Sequence, residues 1–255
     1  MLIDTHCHIH EADYPHEMSV VLQRATEVGI EKMICVGTTV QSSRAAIQSS
    51  QGYDRLFASV GVHPHDTKDG WQELESLLAD ASMNDGSKVV AVGEIGLDYF
   101  YTHSTREVQI AALHGQIELA LKHDLPIIFH VRDAFEDFWP IFDSYAGQIK
   151  GVLHSFTDTL ENMQAAVDRG LYVGVNGIST FTKDHMQQEM FASIPLKNLL
   201  LETDAPFLTP TPLRGKVNEP AFVSYVAKHH STIRGLSPDE IATTTSTNAH
   251  ALFAL

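Results

Sequence analysis

The sequence of 255 residues has only two cysteines, Cys7 and Cys35, and few positive charges. Two cysteines in strand-like runs suit reduced thiols better than a disulfide framework. The 17 Lys and Arg residues against 32 Asp and Glu residues give a net charge of −15, which argues against a broad basic face. No apolar run approaches the roughly 18 residues of a membrane helix, and the first residues lack the features of a secretory signal. These absences predict a cytoplasmic protein that does not associate with membranes.

What the sequence does contain is 44% hydrophobic residues, enough for a large core, and short β-branched runs that alternate with helical patterns. Such alternation implies parallel strands joined by helical crossovers. Eight such units in about 250 residues match the size of a (β/α)8 barrel. We therefore predict a single-domain α/β protein over residues 1–255, a distorted TIM barrel, with a doubly wound open sheet as the alternative. The eight runs are Leu2–His6, Lys32–Val36, Leu56–Val62, Val89–Val92, Pro126–His130, Gly151–His154, Leu171–Val175 and Asn198–Glu202.

Three helix starts are predicted from capping signals. Ser104 with Glu107 and Asp158 with Glu161 have the spacing of a capping box. Near the end of the chain, Ser237 is predicted as the N-cap of a helix with Pro238 at its first position and Glu240 at its third.

Histidines and carboxylates follow the apolar runs, at the end of each strand where a barrel carries its catalytic groups. Asp4, His6 and His8 alternate along the first run and therefore share one face. Strands that end abruptly in such side chains are hard to explain by packing, so we expect a metal site. Six candidate ligands exceed the three of a usual mononuclear zinc catalyst and suffice for two ions bridged by a carboxylate. The six are His6, His8, Glu94, His130, His154 and Asp204.

Several segments together carry a family resemblance: Asp4-Thr5-His6-Cys7-His8, Gly93-Glu94-Ile95-Gly96-Leu97-Asp98-Tyr99, His130, His154-Ser155-Phe156, Glu202-Thr203-Asp204-Ala205-Pro206, Arg214-Gly215-Lys216 and Asn218-Glu219-Pro220. Over essentially its whole length the sequence resembles the TatD family of metal-dependent deoxyribonucleases, which are amidohydrolase-like barrels. The resemblance implies that His6, His8 and Asp204 bind one metal ion. It also implies that His130 and His154 bind a second ion and that Glu94 bridges the two. Val217 departs from the family pattern, which often has a basic residue there, and Ser155 stands where Cys is frequent.

The resemblance implies hydrolysis of DNA phosphodiester bonds, typically from the 3′ end, with a water activated by two metal ions. Asp204 is expected to accept a proton from that water, and Glu94 and His63 complete the predicted catalytic set. His63 follows the third run and is predicted to contact the substrate or handle a proton, while Arg214 and Lys216 are predicted phosphate contacts. Two cations beside two carboxylates leave a local charge of about +2 in an acidic protein. We therefore expect a nucleic-acid substrate bound locally, at short single-stranded or frayed DNA ends.

Two other functions fit the same motifs. One is hydrolysis of another ester or amide, such as the deacylation of D-aminoacyl-tRNA, and the other is a non-catalytic metal-binding module. The metal is Mg²⁺, Zn²⁺ or Mn²⁺: the four imidazoles favour Zn, Mn, Fe or Ni over Mg on ligand softness, whereas the family is usually regarded as supported by magnesium. No feature indicates an obligate protein partner.

Several neighbouring residues are assigned supporting parts. Asp4 and Glu202 are predicted to orient ligand histidines, and Asp98 and Arg132 to make structural pairs. His65 is expected in a loop, and His10, His103 and His230 at ordinary surface or helix positions.

Overall fold

The computed structural model describes residues 1–83, 88–145 and 147–255. Eight strands form one sheet in which they follow one another in chain order. The fold is the predicted (β/α)8 barrel. The strands are β1 (Leu2–Cys7), β2 (Ile30–Val36), β3 (Leu56–Val60), β4 (Val89–Asp98), β5 (Ile127–Arg132), β6 (Gly151–Leu153), β7 (Tyr172–Val175) and β8 (Leu199–Leu201).

The α-helices lie between and after the strands, as the alternating pattern predicts. They are α1 (Met18–Glu27), α2 (Val40–Gly52), α3 (Leu74–Met83), α4 (Arg106–Lys122), α5 (Phe135–Asp143), α6 (Leu160–Asp168), α7 (Ile178–Phe181), α8 (His185–Ser193), α9 (Val223–Arg234) and α10 (Pro238–Phe253). Short 3-10 helices cover Pro64–Asp69, Leu196–Asn198 and Pro220–Phe222.

The chain forms two compact units, one of residues 1–34 and 155–255 and the other of residues 35–154. In the first unit, β7 pairs in parallel with β8, and a parallel bridge joins Cys7 at the end of β1 to Ala205 just after β8. The last strand therefore lies beside the first. That the whole chain is one domain stays a prediction.

In the second unit, β3, β4, β5 and β6 pair in parallel. Phe129 of β5 is fully buried and packs edge-on against Phe138 of α5, with ring centres 5.1 Å apart. Trp139 lies against the same helix's Phe135 and Phe138. The aromatic residues of α5 thus cover this part of the sheet.

The capping predictions were right at one helix and one residue off at two. Ser237 and Glu240 form a complete capping box at the start of α10. The N-caps of α4 and α6 are Thr105 and Thr159 rather than the residues before them. Ser104 instead donates its hydroxyl hydrogen to the carbonyl of His65 at 2.8 Å.

Within residues 1–83, 88–145 and 147–255, no helix combines the length and the apolar character needed to cross a bilayer. The cytoplasmic location stays a prediction.

Candidate metal centres

The first cluster lies in the unit that contains both chain ends, where β1 and β8 run side by side. His6 belongs to β1, His8 follows it, and Asp204 follows β8. The two imidazole Nε2 atoms are 3.1 Å apart, and Asp204 Oδ1 is 3.7 Å from His6 Nε2 and 3.3 Å from His8 Nε2. The alternation along the first run therefore predicted correctly that His6 and His8 share a face.

These three donor atoms fit a divalent cation. A point equidistant from all three lies about 2 Å from each, close to the Zn–N and Zn–O distances of protein sites. Two neutral imidazoles and one carboxylate form a donor set typical of zinc, manganese or iron. His6 and His8 are almost entirely buried, so a cation between them would contact protein ligands rather than bulk water.

A buried carboxylate holds the backbone of this cluster in place. Asp4 Oδ1 accepts hydrogen bonds from the amide of Thr203 at 2.9 Å and from the amide of His6 at 3.3 Å, and Oδ2 accepts the hydroxyl hydrogen of Thr203 at 2.6 Å. Asp4 thus ties β1 to the residue before Asp204. These bonds go to backbone and hydroxyl groups, so Asp4 positions the segments that carry the ligands rather than a histidine ring.

Burial raises the pKa of Asp4 well above its ordinary value, although the three hydrogen bonds from Thr203 and His6 oppose that rise. The adjoining Asp204 has a φ of 59°, a left-handed conformation that Asp adopts more readily than most residues. A residue in such a conformation at a functional site is held there by the surrounding structure. In this case the backbone N–H of Asp204 donates a hydrogen bond to the carbonyl of His6 at 2.9 Å.

The second cluster lies in the unit of residues 35–154 and is centred on Glu94 of β4. Its Oε1 atom is 2.8 Å from His130 Nδ1, 3.1 Å from His154 Nε2 and 3.5 Å from His63 Nε2. Glu94 is 3% exposed, so its carboxylate is surrounded by imidazoles rather than by water. The donor set again suits a divalent cation of borderline softness.

Two glycines allow Glu94 to point at these histidines. The pairing of β4 with β5 shifts register between Val92 and Ile95, and Gly93 and Gly96 on either side of Glu94 have φ values of 154° and 153°. A Cβ atom at Gly96 would lie 1.8 Å from the carbonyl oxygen of His130. Only glycine fits this close approach of the two strands.

Asp98, at the end of β4, fixes the orientation of His130. Its Oδ2 atom is 3.0 Å from His130 Nε2 and 3.0 Å from His65 Nε2. A histidine that ligates a metal usually donates its second ring N–H to such a carboxylate. His130 therefore directs Nδ1, the nitrogen near Glu94, toward the cation position. Asp98 thus forms the predicted kind of structural pair, with His130. His65, which was expected to be an ordinary loop residue, contacts the same carboxylate oxygen.

His63 takes a different orientation from the other histidines of the second cluster. Its Nδ1 atom accepts the backbone N–H of His65 at 3.2 Å, so the neutral ring carries its proton on Nε2, the atom that faces Glu94. Burial first, and His130 second, hold the pKa of His63 well below its ordinary value. His63 is therefore built as a neutral N–H donor.

The carboxylates and His130 stabilise one another's charges. Burial alone would raise the pKa of Glu94, but His154, His63 and His130 outweigh it and hold that pKa well below its ordinary value. Burial likewise opposes the charged form of His130, yet hydrogen bonds to Asp98 and Glu94 raise its pKa above the ordinary value. The pKa of Asp98 is lowered despite its burial, chiefly by the hydrogen bond from His130.

The predicted phosphate contacts lie on the loop after β8. Arg214 stacks on Phe181, with its guanidinium carbon 3.9 Å from the ring centre, and donates to the carbonyl of Thr209 at 2.7 Å. Lys216 is exposed on the same loop. Glu202, predicted to orient a histidine, accepts the amide hydrogen of Ser155 at 2.6 Å.

Sequence reasoning missed three features near these clusters. His10 is buried rather than on the surface. His65 shares the carboxylate of Asp98, and exposed His103 stacks with Tyr101 at a ring-centre distance of 5.8 Å. The sequence signal that could have indicated the contact of His65 is His63-Pro64-His65. A 3-10 helix starts at Pro64 and turns His65 back toward β4.

Comparisons with known proteins place the chain among relatives of similar length. The model of the family described as TatD related DNase matches residues 3–254. The chain is 33% identical to the 3′-5′ ssDNA/RNA exonuclease TatD of Salmonella typhimurium, covering 99% of this chain and 98% of that protein. It is 36% identical to a Bacillus subtilis protein named as an uncharacterised metal-dependent hydrolase, YabD, over the full length of both.

Solved structures give the same likeness. The structure of YJJV, a TatD homologue from Escherichia coli K12, has a TM-score of 0.91 and 31% identity and covers 100% of this chain and 98% of its own. A TatD-family hydrolase from Entamoeba histolytica has a TM-score of 0.88 and 26% identity, covering 99% of this chain and 97% of its own.

Proposed function

The chain belongs to the family of TatD-related DNases and is a metal-dependent hydrolase, and we propose that it removes nucleotides from the 3′ end of single-stranded DNA. The observation that carries the proposal is the triangle of donor atoms from His6, His8 and Asp204, whose spacing fits a divalent cation. The activity of the TatD relative from Salmonella typhimurium supports the choice of a nucleic-acid substrate.

Each cluster is proposed to hold one divalent cation, giving two per chain. His6, His8 and Asp204 hold one, and Glu94, His130 and His154 hold the other. When bound, such cations stabilise charge on phosphoryl oxygens and lower the pKa of water. A bridging position for Glu94, which the family resemblance implies, stays a prediction.

The chain's own groups then move protons and position the substrate. Asp204 is partly exposed beside two buried histidines, so its carboxylate is placed to orient a water and accept its proton. His63 carries a proton on Nε2 and points it toward the second cluster, which suits a hydrogen bond to a phosphate oxygen.

Binding of the nucleic acid is proposed to be local. The net charge of −15 opposes a long phosphate footprint, and the cations supply most of the local attraction. The exposed guanidinium of Arg214 and the ammonium group of Lys216 are proposed to contact phosphates near Asp204. Each phosphate neutralised on a single strand contributes about −0.7 to the slope of log K against log salt, so we expect a slope no steeper than about −4.

A direct assay distinguishes the enzymatic functions. Purified protein is offered, in the same buffer, 3′-labelled and 5′-labelled single-stranded DNA and a D-aminoacyl-tRNA. Stepwise release from the 3′ end supports the proposal, whereas deacylation of the tRNA without DNA cleavage assigns the chain to the alternative function.

A pair of variants tests whether the clusters do the chemistry. Glu94→Gln removes the charge at the centre of the second cluster and should lower kcat at least a hundredfold. The matched control is Glu75→Gln, an exposed carboxylate on α3, which should leave kcat unchanged. Full activity of Glu94→Gln would show that the second cluster does not carry out the hydrolysis, whereas an unaltered protein that binds metal but hydrolyses neither substrate would favour a non-catalytic metal-binding module.

A further inference from the structure

Two exposed aromatic rings and an arginine lie beside the second cluster. Phe100 and Tyr101 follow β4 directly and are 53% and 44% exposed. The guanidinium carbon of Arg132, the last residue of β5, lies 3.9 Å from the ring centre of Phe100 and 5.2 Å from that of Tyr101. We call Phe100, Tyr101 and Arg132 the aromatic platform.

The platform is fixed in position rather than left on a loose loop. Asp98 Oδ1 accepts the amide hydrogens of both Phe100 and Tyr101 at 3.0 Å. The amide of Tyr99 donates to the carbonyl of Arg132 at 2.9 Å, which continues the pairing of β4 with β5. Tyr101 also makes a T-shaped contact with His65, with the two ring centres 5.4 Å apart. Exposed rings held this firmly present a preformed binding surface.

The same carboxylate joins the platform to the metal ligands. While Oδ1 of Asp98 holds the platform's backbone, Oδ2 of the same side chain binds His130 and His65. A molecule that stacks on Phe100 is therefore close to the atoms that would carry out hydrolysis. This placement separates the pair from exposed aromatics scattered elsewhere on the chain, which are normal on protein surfaces.

We propose that the aromatic platform binds one nucleotide of the single strand: its base stacks on Phe100, and Arg132 contacts its phosphate. The inference rests on the proposed function and adds a substrate subsite to it. An exposed ring stacks any base, which suits an enzyme that trims strands without regard to sequence. Arg132 already lies over the Phe100 ring, and guanidinium edges that stack in this way still donate to phosphate oxygens.

The chemistry of the platform favours a nucleotide over a protein partner. A flat ring beside one cation matches the alternation of bases and phosphates in a single strand. In a protein with a net charge of −15, an exposed arginine at this edge provides attraction where the rest of the surface repels a polyanion.

Kinetics with two substrates test the proposal. The long substrate is an oligothymidylate, and the short one is the 4-nitrophenyl ester of thymidine 5′-monophosphate, which has no second nucleotide. For the oligonucleotide, Phe100→Leu should raise KM roughly tenfold and change kcat little, and the short ester should be hydrolysed as by the unaltered protein. Arg132→Gln should make the slope of log(kcat/KM) against log salt shallower by about 0.7.

Tyr53→Leu is the matched control, because Tyr53 is an exposed aromatic that precedes β3, at the opposite end of the strands from the metal ligands. Tyr53→Leu should leave kcat and KM unchanged for both substrates. Thermal unfolding followed by circular dichroism checks that all three variants fold alike.

An abasic scan locates the subsite. Replacing one base at a time should raise KM for the unaltered protein at a single position, and Phe100→Leu should abolish that position's effect. If the unaltered protein cleaves oligothymidylate but Phe100→Leu has the same KM, the platform proposal is wrong and the proposed function stands. If the unaltered protein hydrolyses the short ester but no oligonucleotide, the proposed function is wrong and the platform proposal is wrong with it.

Discussion

Asp98 accepts a hydrogen bond from His130 Nε2 at 3.0 Å, on the side of the imidazole opposite the nitrogen that faces Glu94. The carboxylate therefore decides which nitrogen of His130 is left to ligate a cation. Because outer hydrogen-bond partners of this kind contribute strongly to metal affinity, Asp98→Asn should weaken metal binding about 10- to 100-fold.

Metal titration followed by isothermal calorimetry checks this expectation, and kcat at saturating metal should change less than the affinity does. His65→Gln is the control, because it removes the other donor to Asp98 and leaves His130 paired. An unchanged affinity in Asp98→Asn would show that His130 does not depend on this carboxylate for its orientation.

Gly96→Ala should destabilise the fold more than an ordinary substitution of a glycine with positive φ. The added Cβ would lie 1.8 Å from the carbonyl oxygen of His130, so β4 and β5 must move apart. Gly170, which ends α6 with a φ of 79°, has open space around its Cβ position, and Gly170→Ala should cost about 1–2 kcal/mol. In urea unfolding, Gly96→Ala should lower the free energy of unfolding by about 1–3 kcal/mol more than Gly170→Ala does. Equal losses in the two variants would mean that the strands adjust freely at this point.

His230 makes the stability of the protein sensitive to acid. It is fully buried on α9, near Ser179 and Arg234, and burial, followed by the charge of Arg234, holds its pKa well below the ordinary value. The unfolded chain therefore binds a proton that the folded chain does not. Below about pH 6.5 this group reduces the free energy of unfolding by up to about 1.4 kcal/mol per pH unit.

The variant His230→Gln should lose that component of the acid sensitivity. Urea unfolding between pH 5 and 7.5 measures it, and its curve should be flatter than that of the unaltered protein. His185→Gln, an exposed position on α8, should retain the original slope. Parallel curves for His230→Gln and the unaltered protein would show that His230 does not stay neutral in the fold.

The number of bound ions separates the two clusters. Elemental analysis of protein loaded with Zn²⁺ or Mn²⁺ should find two ions per chain in the unaltered protein and one in each of His8→Ala and Glu94→Ala. Chelation with EDTA should abolish hydrolysis and lower the melting temperature, because binding at a hundred times Kd stabilises the fold by about 2.7 kcal/mol. Retention of both ions in His8→Ala would exclude the first cluster as a metal centre.

The barrel was predictable because its signals are repeated along the chain. Apolar strands recur with helices between them, and each strand positions its terminal side chain at a known end of the sheet. The face shared by His6 and His8 follows directly from the two-residue period of a strand. Periodic patterns of this kind survive small errors in the exact start or end of an element.

The contacts that were not predictable depend on single atoms. The capping boxes at Ser104 and Asp158 were wrong by one residue because the neighbouring threonines take the N-cap positions: Thr159 accepts the amide hydrogen of Asn162, whereas Thr105 makes no side-chain cap hydrogen bond. The pairing of His65 with Asp98 depends on a 3-10 helix that turns the chain back. No periodicity in the sequence reports a turn of that kind, and the close approach at Gly96 is visible only once the register of β4 against β5 is known.

Asp4 and Thr203, which hold the first cluster together, lie 199 positions apart. During translation the two histidines of that cluster therefore leave the ribosome first. Its aspartate, Asp204, leaves only after most of the polypeptide has been synthesised. Premature termination anywhere before β8 yields a fragment that lacks the third ligand. Such fragments should be unable to assemble the first centre, so that hydrolytic activity is reserved for chains whose translation is nearly finished.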